Sequence, residues 1–150
     1  MNGKMIGVDY GDVRTGIASS DLLGLMASAV GTVKPGGMKN TAVAVAKTAK
    51  EQNAVGIVVG LPKNMDGSEG PRAETVRAFV DLLKLETDLP IFFEDERMTT
   101  MEANRFLSAT ETFGKKRKEK VDALSAELIL QSWLDRRRRE EEAKNAEKTT

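Results

Sequence analysis

Residues 54–59 read Ala-Val-Gly-Ile-Val-Val, a nearly continuous apolar run typical of a strand covered on both faces. Such a strand belongs in a sheet with a packing layer on each side. The flanking sequence supplies both layers. From Met38 to Gln52 an alanine-rich pattern sets Ala42, Val45, Ala46 and Ala49 on one helical face. A second helix is expected from about Gly70 to Leu85, where Val76, Phe79, Val80 and Leu83 stand at i, i+3, i+4 and i+7. The stretch between them, Gly60-Leu-Pro-Lys-Asn-Met-Asp-Gly-Ser68, must then be a loop.

Three short β-compatible segments precede the first helix: Met5–Val8, Arg14–Ser20 and Met26–Val33, the last stopping before Pro35-Gly-Gly37. Joined by turns, they suggest an antiparallel meander. After Pro90, Ile91-Phe-Phe93 reads as a further strand. Thr99-x-x-Glu102 is a capping box opening a short helix that buries Ala103, Phe106 and Leu107. Gly114–Lys120 reads as a mobile basic stretch, and Val121–Leu134 as the last long helix. The polar Glu140–Thr150 is expected to fray into solvent, leaving residues 1–139 as one folded domain. The order is β-β-β-α-β-α-β-α-α. A meander followed by alternating helix and strand gives an α/β protein, a five-stranded mixed sheet with helices on both faces. This is the element order of the ribonuclease H-like fold.

Composition narrows the chemistry. The 150 residues contain no histidine and no cysteine. Ser-His and Cys-His nucleophiles are therefore excluded, as is a catalytic zinc site of the usual kind. With 23 basic and 23 acidic residues the net charge is zero, which argues against a strongly basic DNA coater, although local patches can still steer a polyanion. No apolar run approaches the roughly 20 residues of a membrane span, and no signal peptide is evident. A cytoplasmic location is expected.

Four acids at the ends of apolar segments stand out: Asp9, Asp95, Glu96 and Asp122. Carboxylates alone suit a hard cation such as Mg²⁺ or Mn²⁺. Held together, they would make a phosphoryl-transfer site. Each acid also has a plainer reading. Asp9 closes a strand before Gly11 and can serve as a turn residue bonding its own backbone. Glu94-Asp-Glu-Arg97 can be a solvated turn in which Arg97 neutralises one acid, and Asp122 can compensate a helix dipole.

Candidate phosphate contacts follow the same logic. Arg14 and Gly16, with Asp9-Tyr-Gly11, fit a hairpin that cradles phosphate. Asn64 and Ser68 supply small polar groups in a loop bent by Gly60 and Pro62. Arg72, in the first turn of its helix, has the wrong sign for the helix dipole, which an anion partner would explain. Ser68 could instead be an N-cap, with Pro71 near N1. Lys115, Lys116, Arg117 and Lys118 form a basic run suited to a phosphate backbone. The Arg136–Arg139 run can pair i,i+4 with Glu140-Glu-Glu142.

Taken in order, Ile6-Gly-Val-Asp-Tyr-Gly11, Arg14-Thr-Gly-Ile-Ala18, Val59-Gly-Leu-Pro62, Asn64-Met-Asp-Gly-Ser-Glu69, Asp95-Glu-Arg-Met-Thr-Thr100 and Lys120-Val-Asp-Ala-Leu124 resemble the YqgF family. Its members are called pre-16S rRNA nucleases or Holliday junction resolvase-like proteins. The likeness runs from about residue 4 to 135. Met98 stands where leucine is usual, and the tail after Arg139 falls outside the pattern. The resemblance implies a ribonuclease H-like fold and a role in maturing the 5′ end of 16S rRNA. It also implies Asp9, Glu96 and Asp122 as catalytic acids, with Asp95 a close alternative to Glu96. Resolvases of this fold hold an acid on the strand after the first helix, where this chain has Ile57-Val-Val-Gly60.

The expected activity is metal-dependent cleavage of phosphodiester bonds in structured RNA. Asp9, Glu96 and Asp122 would hold one or two Mg²⁺ or Mn²⁺ ions, and the precursor of the small ribosomal subunit is the expected partner. Arg72, Arg97 and the 115–118 run would position phosphates without reading sequence. Three alternatives stand beside this: a resolvase of branched four-way DNA, a non-catalytic RNA-binding assembly factor, and an actin-like ATPase. The last needs two such domains and is disfavoured by length.

Overall fold

The computed structural model describes residues 3–34, 36–99 and 115–149, without the side chains of 115–122 and 149. Strands β1 (Lys4–Asp9), β2 (Thr15–Ser20) and β3 (Ala27–Val33) form the expected meander. Helix α1 (Met38–Glu51), strand β4 (Ala54–Leu61), helix α2 (Pro71–Lys84) and strand β5 (Ile91–Asp95) then alternate. A single 3₁₀ turn, Glu96–Met98, follows β5, and helix α3 spans Lys115–Thr149. The capping-box helix with Ala103, Phe106 and Leu107 lies outside the described residues.

The sheet order is β3-β2-β1-β4-β5. β1, β4 and β5 run parallel, while β2 and β3 are antiparallel additions on the other side. β4 lies between β1 and β5, and its apolar run is covered on both faces as its composition demands. Ile57, Val59 and Leu61 pack with Ile6, Val8, Val45, Val76 and Phe79 under α1 and α2. Val58 faces the opposite layer with Met5, Ala126, Ile129 and Leu130, under α3. All four apolar positions read from the α2 periodicity are buried.

Close approach of α3 depends on missing side chains beneath it. A Cβ on Gly7 would stand 2.6 Å from Leu130 Cβ and 2.9 Å from the Ala126 carbonyl oxygen. One on Gly60 would stand 2.5 Å from Ile129 Cδ1. Contacts that short are repulsive, so glycine lets the helix settle directly on the strands. At the far edge, Gln131 and Glu127 of α3 accept from the backbone N–H groups of Ala27 and Ala29 at 2.8 and 3.1 Å.

Three expectations are corrected. β4 continues through Gly60 and Leu61 because they pair with Glu94 and Asp95 of β5, so the loop begins at Pro62. The basic stretch expected to be mobile is helical from Lys115, consistent with the helix propensity of lysine, arginine and glutamate. The tail expected to fray continues α3 to Thr149. There Arg136 and Arg137 reach Glu140 and Glu141 at 3.9 and 3.6 Å, the i,i+4 pairs foreseen in the sequence. Such pairs and alanine-rich composition sustain a solvated helix.

Candidate nucleic-acid processing site

The parallel strands β1, β4 and β5 end at one edge of the sheet, where open α/β sheets place their ligands. Asp9 is the last residue of β1 and pairs with Gly16 of β2. Strand alternation sets it on the α3 face, with Met5 and Gly7. Glu96 follows β5 immediately, two strands from Asp9; the paired registers set Asp9 level with Glu94, so Glu96 stands further out along the strand direction. Its longer side chain leans back over β4. Glu96 Oε1 lies 3.0 Å from where a Cβ on Gly60 would stand, on the side that Ile129 of α3 covers. The absent side chain at Gly60 therefore makes room for an acid as well as for the helix.

Burial pushes the Glu96 carboxyl above its ordinary value, with Asp95 adding to the rise and Arg72 opposing it. A raised pKa means that folding disfavours the charged form. The penalty is absent below the ordinary carboxylate value, grows as pH rises toward the raised one, and is complete above it. Glu96→Gln is therefore expected to be more stable than the parent at neutral pH in EDTA. That gain should vanish below about pH 4, where glutamate is protonated in both states. Thermal midpoints measured across the range would show this; a pH-independent difference would contradict it.

Asp95 and Glu96, adjacent in sequence, have opposite surroundings. Asp95 pairs with Leu61, so it faces the α1–α2 side. Arg97 holds it through Nη2 at 2.7 Å and through Nε at 3.1 and 3.2 Å. That guanidinium, through its hydrogen bonds, draws the Asp95 carboxyl below the usual range. The pairing of Arg97 with one acid, allowed by the sequence, is what the structure contains.

Arg97 also donates through Nη1 to the Met65 carbonyl at 3.3 Å, tying the β4–α2 loop to the end of β5. Within that loop Asn64 bonds Ser68, and Ser68 in turn bonds Asp66. Asn64 Nδ2 donates to Ser68 Oγ at 3.0 Å, and Ser68 Oγ donates to Asp66 Oδ1 at 2.6 Å. These two expected phosphate contacts thus hold the loop's own shape. The α2 N-cap is Gly70, with Pro71 at N1, so Ser68 is not the cap.

Two further cations stand at this edge. Arg14 precedes β2 in the tight β1–β2 hairpin, where a Cβ on Gly11 would collide with the Arg14 carbonyl oxygen. Arg72 lines a small hollow with Tyr10, Gly11, Asp12 and Thr75. Asp122 and the run Lys115, Lys116, Arg117 and Lys118 lie in the α3 backbone, with their side chains outside the described residues. Among the described residues, no group of three or more acids stands close enough to hold a metal ion.

Glu94 plays a part the sequence reading missed. Alternation turns it under α3, where it is completely buried. Ser132 Oγ donates to its Oε2 at 2.7 Å, and Arg136 Nη1 stands 2.6 Å from Oε1. The latter is a charge contact without hydrogen-bond geometry, so Oε1 gains a counter-ion but no aligned proton. The Met98 carbonyl, 3.2 Å from Ser132 Oγ, is a second acceptor that shares the same proton, tying α3 to the turn that carries Glu96. The available signal was Phe92 and Glu94 at period two, opposite an arginine-bearing helix. Arg136→Met leaves the buried carboxylate uncompensated. A fully buried pair would lose about 3–5 kcal/mol; because Arg136 is partly solvated, about 2 kcal/mol is expected from urea denaturation.

Similarity to known proteins agrees with this architecture. Residues 3–136 match the family model described as RuvX: Holliday junction resolvase. A Clostridioides difficile protein named "Putative pre-16S rRNA nuclease" is 42% identical over 135 residues, covering 90% of this chain and 96% of the relative. A Myxococcus xanthus protein of the same name is 41% identical over 135 residues, covering 90% and 89%. Among solved structures, Thermus thermophilus RuvC in complex with a Holliday junction substrate superposes with a TM-score of 0.54 at 14% identity, covering 85% of this chain and 91% of that one. Fowlpox virus resolvase gives 0.54 at 11%, covering 88% and 97%. At such identities the likeness is one of fold, and it confirms the ribonuclease H-like architecture. A model match across nearly the whole folded chain, with relatives above 40% identity over most of their length, makes this chain a member of the RuvX (YqgF) family.

Proposed function

We propose that this chain is a divalent-metal-dependent endonuclease that hydrolyses phosphodiester bonds in structured RNA, with the 5′ region of pre-16S rRNA as its substrate. The observation that carries this reading is the pair Asp9 and Glu96. They share one face at the carboxyl edge, on either side of β4, and Glu96 is desolvated over Gly60. Relatives above 40% identity that bear the nuclease name support the substrate.

The donor set fits a hard ion: only carboxylates are available, and a half-buried acid with a raised pKa gains from a nearby cation. Asp9, Glu96 and Asp122 would hold Mg²⁺ or Mn²⁺, with Asp95 engaged by Arg97. When bound, the ion supplies a water of lowered pKa and stabilises the leaving oxyanion. Position 122 stands at i, i+4, i+7 with Ala126 and Ile129, two of the three α3 residues that meet Gly7 and Gly60. Arg14 and Arg72 would hold phosphates at the edge. Lys115–Lys118, on α3, would add cations along the phosphate backbone. Arg97 acts one step back, by holding the loop.

Incubating the protein with 16S precursor carrying its leader, in Mg²⁺ or in EDTA, tests this. Cuts near the mature 5′ end in Mg²⁺ and none in EDTA are expected. No cutting under any divalent condition would leave an RNA-binding assembly factor as the better reading. The family description favours a second substrate, four-way DNA, and a deoxy junction in the same assay separates the two. No described helix is long and apolar enough to cross a membrane.

A further inference from the structure

In the loop between β4 and α2 the polar groups of Asn64, Asp66 and Ser68 bond one another at the surface, and an apolar side chain stands exposed beside them. Gly67 N–H donates to the Asn64 carbonyl at 2.9 Å, closing a tight turn with Met65 and Asp66 at its corners. Gly67 has φ 90°, a conformation that favours glycine. Asn64 N–H donates to the Ser68 carbonyl at 2.9 Å, and Asp66 accepts from both the backbone and the hydroxyl of Ser68. Arg97 grips the turn from outside, through the Met65 carbonyl. A loop so cross-linked is held in one shape. Its exposed large apolar side chain is Met65, 92% exposed.

Single exposed apolar residues are ordinary on proteins, and exposure alone would carry little. Here position adds to it. Val13, Met65 and Met98 are exposed on the three segments that leave the carboxyl ends of β1, β4 and β5. They therefore surround the edge where Asp9 and Glu96 stand. Met65 is the most exposed of the three, and a single guanidinium joins its carbonyl to Asp95, the neighbour of Glu96. A thioether is polarisable and packs favourably on aromatic rings. Among the described residues the aromatic rings are engaged elsewhere: Tyr10 stacks on Phe79, and Phe92 and Trp133 pack together beneath α3.

We propose that Met65 is a wedge that packs on the face of an unstacked nucleobase beside the scissile phosphate. This rests on the nuclease reading above and adds what the substrate must offer: a base free to leave its stack, as at a junction between a stem and a single strand. Apolar wedges of this kind replace part of the stacking that an opened base step loses. A preorganised loop loses little entropy in delivering one.

The test uses the full chain carrying Asp9→Asn, so that nucleic acid stays intact. Stem–loop RNAs, each with one 2-aminopurine at successive positions across the stem–loop boundary, are titrated with protein. A parallel set of four-way DNA junctions identifies the polymer. Binding is followed by anisotropy, and unstacking by the rise in 2-aminopurine emission. At least one position should brighten in one of the sets. Adding Met65→Ala or Met65→Gln should cut that rise threefold or more with the thermal midpoint unchanged, while Met65→Leu should retain it. Binding without brightening at any position, or equal brightening in Met65→Ala, overturns the wedge and leaves the nuclease reading standing. Failure to bind either polymer overturns both.

Discussion

Asp9→Asn is expected to slow single-turnover RNA cleavage by about 10³-fold, the scale on which a well-placed electrostatic group acts. The substitution keeps size and shape at the end of β1 and removes only the negative charge. The paired register through Asp9 and Gly16 should therefore persist, with the thermal midpoint moving by no more than about 3 °C. Raising Mg²⁺ should restore little of the rate, because an amide is a poor replacement for an anionic ligand to a hard ion. A variant within about tenfold of the parent in rate would remove Asp9 from the site, and with it the basis for grouping β1 and β5. The assay requires only a cleavable precursor RNA and a melting curve on the same preparation.

Gly7→Val has the largest expected effect on stability. Its Cβ alone would stand 2.6 Å from Leu130 Cβ and 2.9 Å from a backbone oxygen of α3. A side-chain clash can be relieved by a rotamer change; a clash with the helix backbone requires the helix to lift. Overpacking of this kind costs about 3 kcal/mol, and β-branching leaves valine few ways round it. Because α3 also carries position 122, activity measured well below the new melting temperature should fall as well. Val58→Ala, in the same layer and buried, is a useful comparison: it removes volume without pushing the helix away, so its activity loss should track stability alone. A Gly7→Val protein as stable as its parent would mean that α3 does not rest on β1 as described.

Much of the fold was legible in the sequence because its signals are local and periodic. The β4 run, with no alternation, announced a strand covered on both faces. Val76, Phe79, Val80 and Leu83 all proved buried because the 3.6-residue period that placed them is a property of the helix itself. The misread segments were those where local signal and tertiary partner disagree. Gly60 and Leu61 look like the start of a loop until β5 pairs with them. The charged residues after Arg139 look like a frayed end until they are seen to continue a helix already anchored through Trp133 and Leu134.

The candidate site divides the same way. Short motifs pointed to Asp9, Asp95 and Glu96 together, because adjacency in sequence cannot separate neighbours. Strand pairing separates them by turning Asp95 toward Arg97 and leaving Glu96 over Gly60. Asn64 and Ser68 looked like ligand contacts as small polar residues in a glycine-bearing loop, yet their partners are one another. Glu94 was passed over as one more acid in a charged turn. Only its burial beneath α3, against Ser132 and Arg136, gives it a structural role.

By itself, then, the sequence determined the kinds of element and their order among the described residues, and a chemistry restricted to carboxylates and cations, since each of these follows from residue type and short-range spacing. Which acids share a face, which cation is already paired and which side chain the loop presents were decided only by the tertiary structure. Those depend in part on contacts across the chain, such as Arg97 with the Met65 carbonyl 32 positions away and Ser132 with Glu94 38 positions away, and no local pattern encodes such contacts.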